Sequence, residues 1–178
     1  MLHKLAVRVW KHIPGAAFVW FRLVEPVWNF IVSNLEALRY IGRRSDAKQK
    51  LANLKGTIQR AEDVPLWYDM VDFQWSRDPM GGLIDFHSKP WVSLAKNRGD
   101  CDDMLFLSMY LLRDLYDLVI PMTVWTSEGK GHAILIVHDE STPDLWIVMS
   151  NQHMHKFTTR DAAVNFFYGD QTYWSYAL

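Results

Sequence analysis

Cysteine is almost absent from this sequence: there is one, Cys101, among 178 residues. A single thiol excludes an intramolecular disulfide framework and a cysteine-built zinc site, and gives no sign of an oxidising compartment. Long apolar runs are missing too. The richest stretch, HIPGAAFVWFRLVEPVWNFIVSNLEAL (12–38), is broken by Arg22, Glu25 and Pro26. It falls short of the ~18 uninterrupted apolar residues that mark a membrane-spanning helix. The opening MLHKLAVRVWKHIPG has no small-residue cleavage site behind a clean apolar core. No signal peptide is read there, and a cytoplasmic location is the expectation. Internal repeats and low-complexity tracts are also absent.

What the sequence does have is apolar mass. With 49% hydrophobic and 14% aromatic residues, the chain can bury one good core, and it is short for two full domains. The net charge of −1 conceals an asymmetry: residues 1–60 carry 11 Lys+Arg against 3 Asp+Glu, and residues 61–178 carry 8 against 17. A basic, aromatic-rich segment can meet an anionic membrane surface, a protein partner, nucleic acid, or the acidic remainder of its own chain. Nucleic acid is disfavoured, because the basic residues alternate with large apolar ones and no recognised nucleic-acid motif is present.

The pattern predicts helices over residues 1–60, broken at Pro14-Gly15 and Pro26. Val27, Phe30, Ile31, Asn34, Leu35 and Leu38 share one face of a helix, which is expected to be a core element. SDAKQKLANLKGTIQRA (45–61) reads as a further helix capped by Ser45 or Asp46 and weakened by Gly56. Residues 65–98 scatter Pro, Gly and Asp among aromatics without a sustained period, predicting an ordered but irregular segment. The best helix covers 102–116, with Met104, Leu107, Ser108, Leu111 and Leu115 on one face. Strands are expected at PMTVWT (121–126), HAILIVHD (132–139) and LWIVMS (145–150), and a last helix after Thr159. Helices, then an irregular segment, a helix and a run of antiparallel strands make an α+β pattern. The expected division is a helical extension over 1–60 and a second unit over 61–178.

The lone cysteine lies in NRGDCDDM (97–104). Asp100 is a good N-cap, which puts Cys101 at the first helical position, where the helix dipole favours a thiolate. Asp102 and Asp103 suit the dipole but oppose a thiolate, so chemistry there requires a basic partner, most naturally histidine. Of seven histidines, His132 stands out because it opens the strongest strand after EGKG; His153 and His155 share a strand face but lack a third metal ligand at a recognisable spacing. The group that would orient His132 is expected at the end of the next strand, where Ser150 and Asn151 stand and no carboxylate does. The plainer reading is a small buried hydrophobe at Cys101 with no chemistry.

The ordered set DPMGGLIDF, KPWVSLAKNRGDCDD, GHAILIV and WIVMSN resembles the bacterial transglutaminase-like cysteine proteinases of the papain-like superfamily, over about residues 68–157. The resemblance implies a cysteine-bearing helix packed on a small antiparallel sheet, with Cys101 as nucleophile and His132 as general base and acid. It also implies a protein or peptide substrate, and an oxyanion hole that includes the Cys101 backbone N–H. Family members have Asp where this chain has Ser150, followed by an Asn matching Asn151, which could accept the imidazole N–H. Trp91, Asn97 and Gly131 are candidates for lining the acyl pocket, against plainer roles in core and loop. No cofactor or metal is expected. Two functions follow: acyl transfer through a Cys101 thioester, or a binding module that keeps the fold without the catalysis.

Overall fold

The structure is a computed structural model and describes residues 25–77, 87–126, 131–168 and 172–177. Pro14-Gly15 lies outside them. In chain order the elements are α1 (Glu25–Arg39), a 3-10 turn (Ile41–Arg43), α2 (Arg44–Thr57), α3 (Asp63–Met70), β1 (Gln74–Trp75), α4 (Pro90–Lys96), β2 (Arg98–Gly99) and α5 (Cys101–Leu112). Then come β3 (Leu118–Thr126), β4 (Gly131–His138), β5 (Trp146–Ser150), β6 (His153–Phe157), α6 (Arg160–Tyr168) and β7 (Thr172–Ala177). The α+β class expected from the pattern is the class observed.

Five strands form one antiparallel sheet in the order β6-β5-β4-β3-β7. Alternation along β4 divides its side chains between two layers. Ala133, Leu135 and Val137 join Leu105, Leu107 and Leu111 of α5 in the main core. Ile134 and Ile136 face the other way, into a smaller cluster with Val148 and Ala163 of α6. Ala37, Ala47, Leu51 and Leu54 belong to the main core with Val64, Tyr68 and Phe73, so the helices of residues 25–57 share one apolar interior with the sheet.

Several expectations need correction. Residues 65–98 hold two short helices, α3 and α4, and a two-residue strand that pairs in parallel with β2. Their periods are too short for a sequence window to register. α2 begins at Arg44 without a side-chain cap, because the preceding 3-10 turn feeds directly into it. Asp46 lies in its first turn and pairs with Lys50 at 3.2 Å. α5 stops at Leu112, so Leu115 falls past its end and is exposed. The sequence also passed over β6 and β7, and Thr159 caps α6 as expected, accepting from the Ala162 N–H at 3.1 Å.

The largest departure is α1, which packs with its polar side inward. Ser33 and Glu36 are buried, whereas Phe30, Leu35 and Leu38 of the expected core face are 70%, 58% and 59% exposed. The reason is electrostatic. The Lys96 ammonium donates to Glu36 Oε1 at 2.9 Å, Asp103 Oδ2 at 3.0 Å and Ser88 Oγ at 2.8 Å. Ser88 Oγ also bonds Glu36 Oε2, and the Ser88 N–H donates to Asp103 Oδ1 at 2.6 Å. Burial alone would push Lys96 toward deprotonation, but Asp103 and Glu36 outweigh it and raise its pKa above that of an ordinary lysine. Lys89 adds a bond to Asn34 Oδ1 at 2.6 Å. Once Glu36 is drawn inward, helical geometry turns Ile31, Leu35 and Leu38 outward.

Two outcomes test this packing. Lys96→Met strands two buried carboxylates, and urea unfolding is expected to show a loss of about 3–5 kcal/mol. His87 stacks on Phe106 with ring centroids 3.9 Å apart, and burial lowers its pKa to about 4. The unfolded chain binds that proton near pH 6.5 and the native state does not. Stability is therefore full above about pH 6.5 and falls by up to about 3 kcal/mol as the pH drops to about 4. His87→Phe is expected to flatten that slope in urea midpoints measured across the range.

Candidate active site

Cys101 begins α5. Asp100, in an extended conformation, caps the helix by accepting the Asp103 N–H at 3.5 Å. Gly99 is required here by contact: a Cβ on it would lie 2.4 Å from the Asp103 Cβ. The two-stranded ladder secures the backbone ahead of the cysteine, with the Gln74 N–H donating to Asn97 O at 3.1 Å and the Ser76 N–H to Gly99 O at 2.9 Å. The second aspartate after the cysteine, Asp103, belongs to the buried lysine network and is structural. Its position thus ties the start of the cysteine helix to α1 and α4.

Cys101 meets the sheet at the end of β4. Pairing between β4 and β5 stops at Leu135↔Met149, and just beyond it the Ala133 N–H donates to the Cys101 sulfur. His132 is the neighbouring residue and, by alternation, sits on the α6 side of the sheet. Its Nε2 is 2.7 Å from Ser150 Oγ. If Nε2 carries the proton and Ser150 accepts it, the tautomer leaves Nδ1 as the basic nitrogen. The structure therefore brings His132 and Ser150 together directly, and brings Cys101 to the strand position next to His132.

The electrostatics favour neutral groups. Burial pushes the Cys101 thiol pKa far up, and the charges of Asp102 and Asp100 push it further; the Ala133 N–H acts in the opposite direction. The thiol donates to Asp102 Oδ1 at 3.4 Å. Burial also lowers the His132 pKa below that of an ordinary histidine. At neutral pH the site therefore holds a thiol and an uncharged imidazole.

The other candidates are taken up by structural contacts. The bond offered to Asn151 is made by Ser150, because β5 ends at Ser150 and Asn151 enters a left-handed turn with φ 53°. The Asn151 side-chain oxygen is buried with no hydrogen-bond partner. Trp91 is buried in the main core. Asn97 is the left-handed C-cap of α4, and its amide donates to Val71 O at 3.0 Å. Gly131 opens β4 opposite Trp125. His138 stacks on Trp146 at 4.0 Å, at the far end of the strand. Sequence reasoning missed the Ala133 N–H as a partner of the sulfur. The alanine of the GHA triplet marks the position, but a backbone donor leaves no trace in residue types.

No protein-family model matches this sequence, and no curated protein does. Solved structures do resemble it. Calcium-bound LapG of Legionella pneumophila is 15% identical, with a TM-score of 0.51 over 79% of each chain. A second structure of Legionella pneumophila LapG is 15% identical, with a TM-score of 0.50 over 82% of this chain and 81% of that one. At this identity the likeness is one of fold: this chain has a LapG-like, transglutaminase-like fold of helices and a small antiparallel sheet.

Proposed function

We propose that this protein is a thiol-dependent acyl-transfer enzyme that hydrolyses a peptide or amide bond in a protein or peptide. The observation that carries the reading is at the start of β4, where the Ala133 N–H donates to the Cys101 sulfur and the adjacent residue, His132, pairs with Ser150. The LapG-like fold supports a cysteine-protease type of chemistry on that frame. In this reading the His132 ring turns at the strand end toward the sulfur, and Nδ1 takes the thiol proton as the sulfur attacks the carbonyl carbon. The oxyanion forms beside the Cys101 backbone N–H at the start of α5. His132 then gives its proton to the leaving amine as the C–N bond breaks, and water hydrolyses the thioester. One LapG structure carries calcium, but among the described residues no three His, Cys, Asp or Glu side chains converge to hold a metal ion.

The raised Cys101 pKa shapes this mechanism. The resting pair is neutral, so the proton moves during attack, and a standing thiolate–imidazolium pair plays no part. The acid limb of activity then follows His132 and lies below about pH 6.5. The same neutral thiol favours a second reading, a binding module that retains the fold without turnover. Acylation of Cys101 by an activated peptide ester, followed by intact mass, separates the two. The enzyme reading expects a thioester on the wild type, none on Cys101→Ala, and a rate about 100-fold lower in His132→Ala. Equal acylation of wild type and His132→Ala would leave the binding module.

Ser150 supplies a sharper test. A hydroxyl orients the ring but stabilises an imidazolium poorly, whereas a carboxylate does both. Ser150→Asp is expected to raise the rate of Cys101 alkylation by iodoacetamide at neutral pH by about tenfold. Ser150→Ala, which removes one neutral hydrogen bond, is expected to lower it about fivefold. An unchanged rate in both variants means that the ring and the sulfur are not coupled.

A further inference from the structure

Among the described residues, neither the fold nor the thiol site makes use of the outward face of α1. Trp28, Phe30, Ile31, Leu35, Leu38 and, on the following turn, Ile41 are all between 41% and 70% exposed. Single exposed apolar residues are ordinary, but a contiguous stripe of large ones on one helix marks a surface that meets something else. We propose that this face docks the protein on an anionic lipid surface, with α1 lying in the plane of the interface.

Charge selects this occupant. Arg39, Arg43 and Arg44 follow the apolar stripe directly, are exposed, and pair with no carboxylate among the described residues. Arg39 lies a third of a turn or less from Leu35 on the helical projection, so cations flank the apolar face rather than oppose it. An apolar stripe edged by arginines and carrying a tryptophan has the composition of an interfacial helix on acidic lipid. A second copy of the chain would bring two sets of three arginines into one interface, which like-charge repulsion disfavours. A nucleic acid would satisfy the arginines and leave Phe30, Leu35 and Leu38 uncovered. The 15 residues of α1 span about 22 Å, and among the described residues no helix is long and apolar enough to cross a membrane. The helix therefore lies on the surface and does not span it. The buried Lys96–Glu36 pair holds α1 in the orientation that displays this stripe, so no unfolding is needed for contact.

The test is flotation of the full chain with vesicles of phosphatidylcholine, with and without one-quarter phosphatidylglycerol, at low and high salt. The bound fraction is expected to be at least about tenfold greater on the anionic vesicles and to fall as salt rises. Leu35→Glu/Leu38→Glu is expected to abolish flotation. Each of Arg39→Gln, Arg43→Gln and Arg44→Gln is expected to weaken it about fivefold. A thermal melt of each variant shows that these exposed substitutions leave the fold intact. Equal binding to neutral vesicles, no binding to either, or full binding by the double variant overturns the proposal. So does a wild-type dimer in sedimentation equilibrium that the double variant converts to monomer, which would assign the face to a second copy.

Discussion

One ammonium group holds together the part of the molecule that matters. Lys96 sits between Glu36 of α1, Asp103 of α5 and Ser88 ahead of α4. Burying three charges costs several kcal/mol each before their attraction offsets it, so such a cluster is a poor source of stability. What it imposes is arrangement. The contacts of Lys96 with Glu36 and Asp103 tie α1, α4 and α5 to one another, and Asp103 is two residues from the sulfur. The same cluster decides which side of α1 faces solvent, so the interior ion pair and the exterior apolar stripe are two results of one constraint.

Around Cys101 the chain spends its charges on architecture. Asp100 caps the helix, Asp103 anchors it, and Asp102 accepts a hydrogen bond from the thiol. The imidazole is oriented by a hydroxyl, and the thiol and the imidazole both rest uncharged. This is a coherent electrostatic state: the neutral Ser150 hydroxyl beside His132 does little for an imidazolium, and a thiolate would face two aspartates.

Local chemistry was legible in the sequence, and long-range polarity was not. The cap at Asp100 and the strands β4 and β5 follow from residue types a few positions apart; the cap appears as expected, and each strand lies within one residue of its expected bounds. The short helices α3 and α4 escaped because eight and seven residues barely complete two turns. The choice between Ser150 and Asn151 depended on where a strand stops and a left-handed turn begins, which adjacent residue types do not specify. The face of α1 was misread because periodicity reports that a helix has two sides, not which one is inside. That choice rested with Lys96, sixty residues away from Glu36.

The protonated state of Cys101 has a further chemical meaning. Peroxides attack thiolates, and the rate of sulfenic acid formation follows the thiolate fraction and access. Here burial and two aspartates keep the sulfur protonated, and the chain has no second cysteine to trap an oxidised sulfur as an internal disulfide. The geometry thus gives the protein a sulfur that is slow to oxidise and has no internal route of repair: durable under brief oxidative stress, and dependent on external reductant once the damage is done.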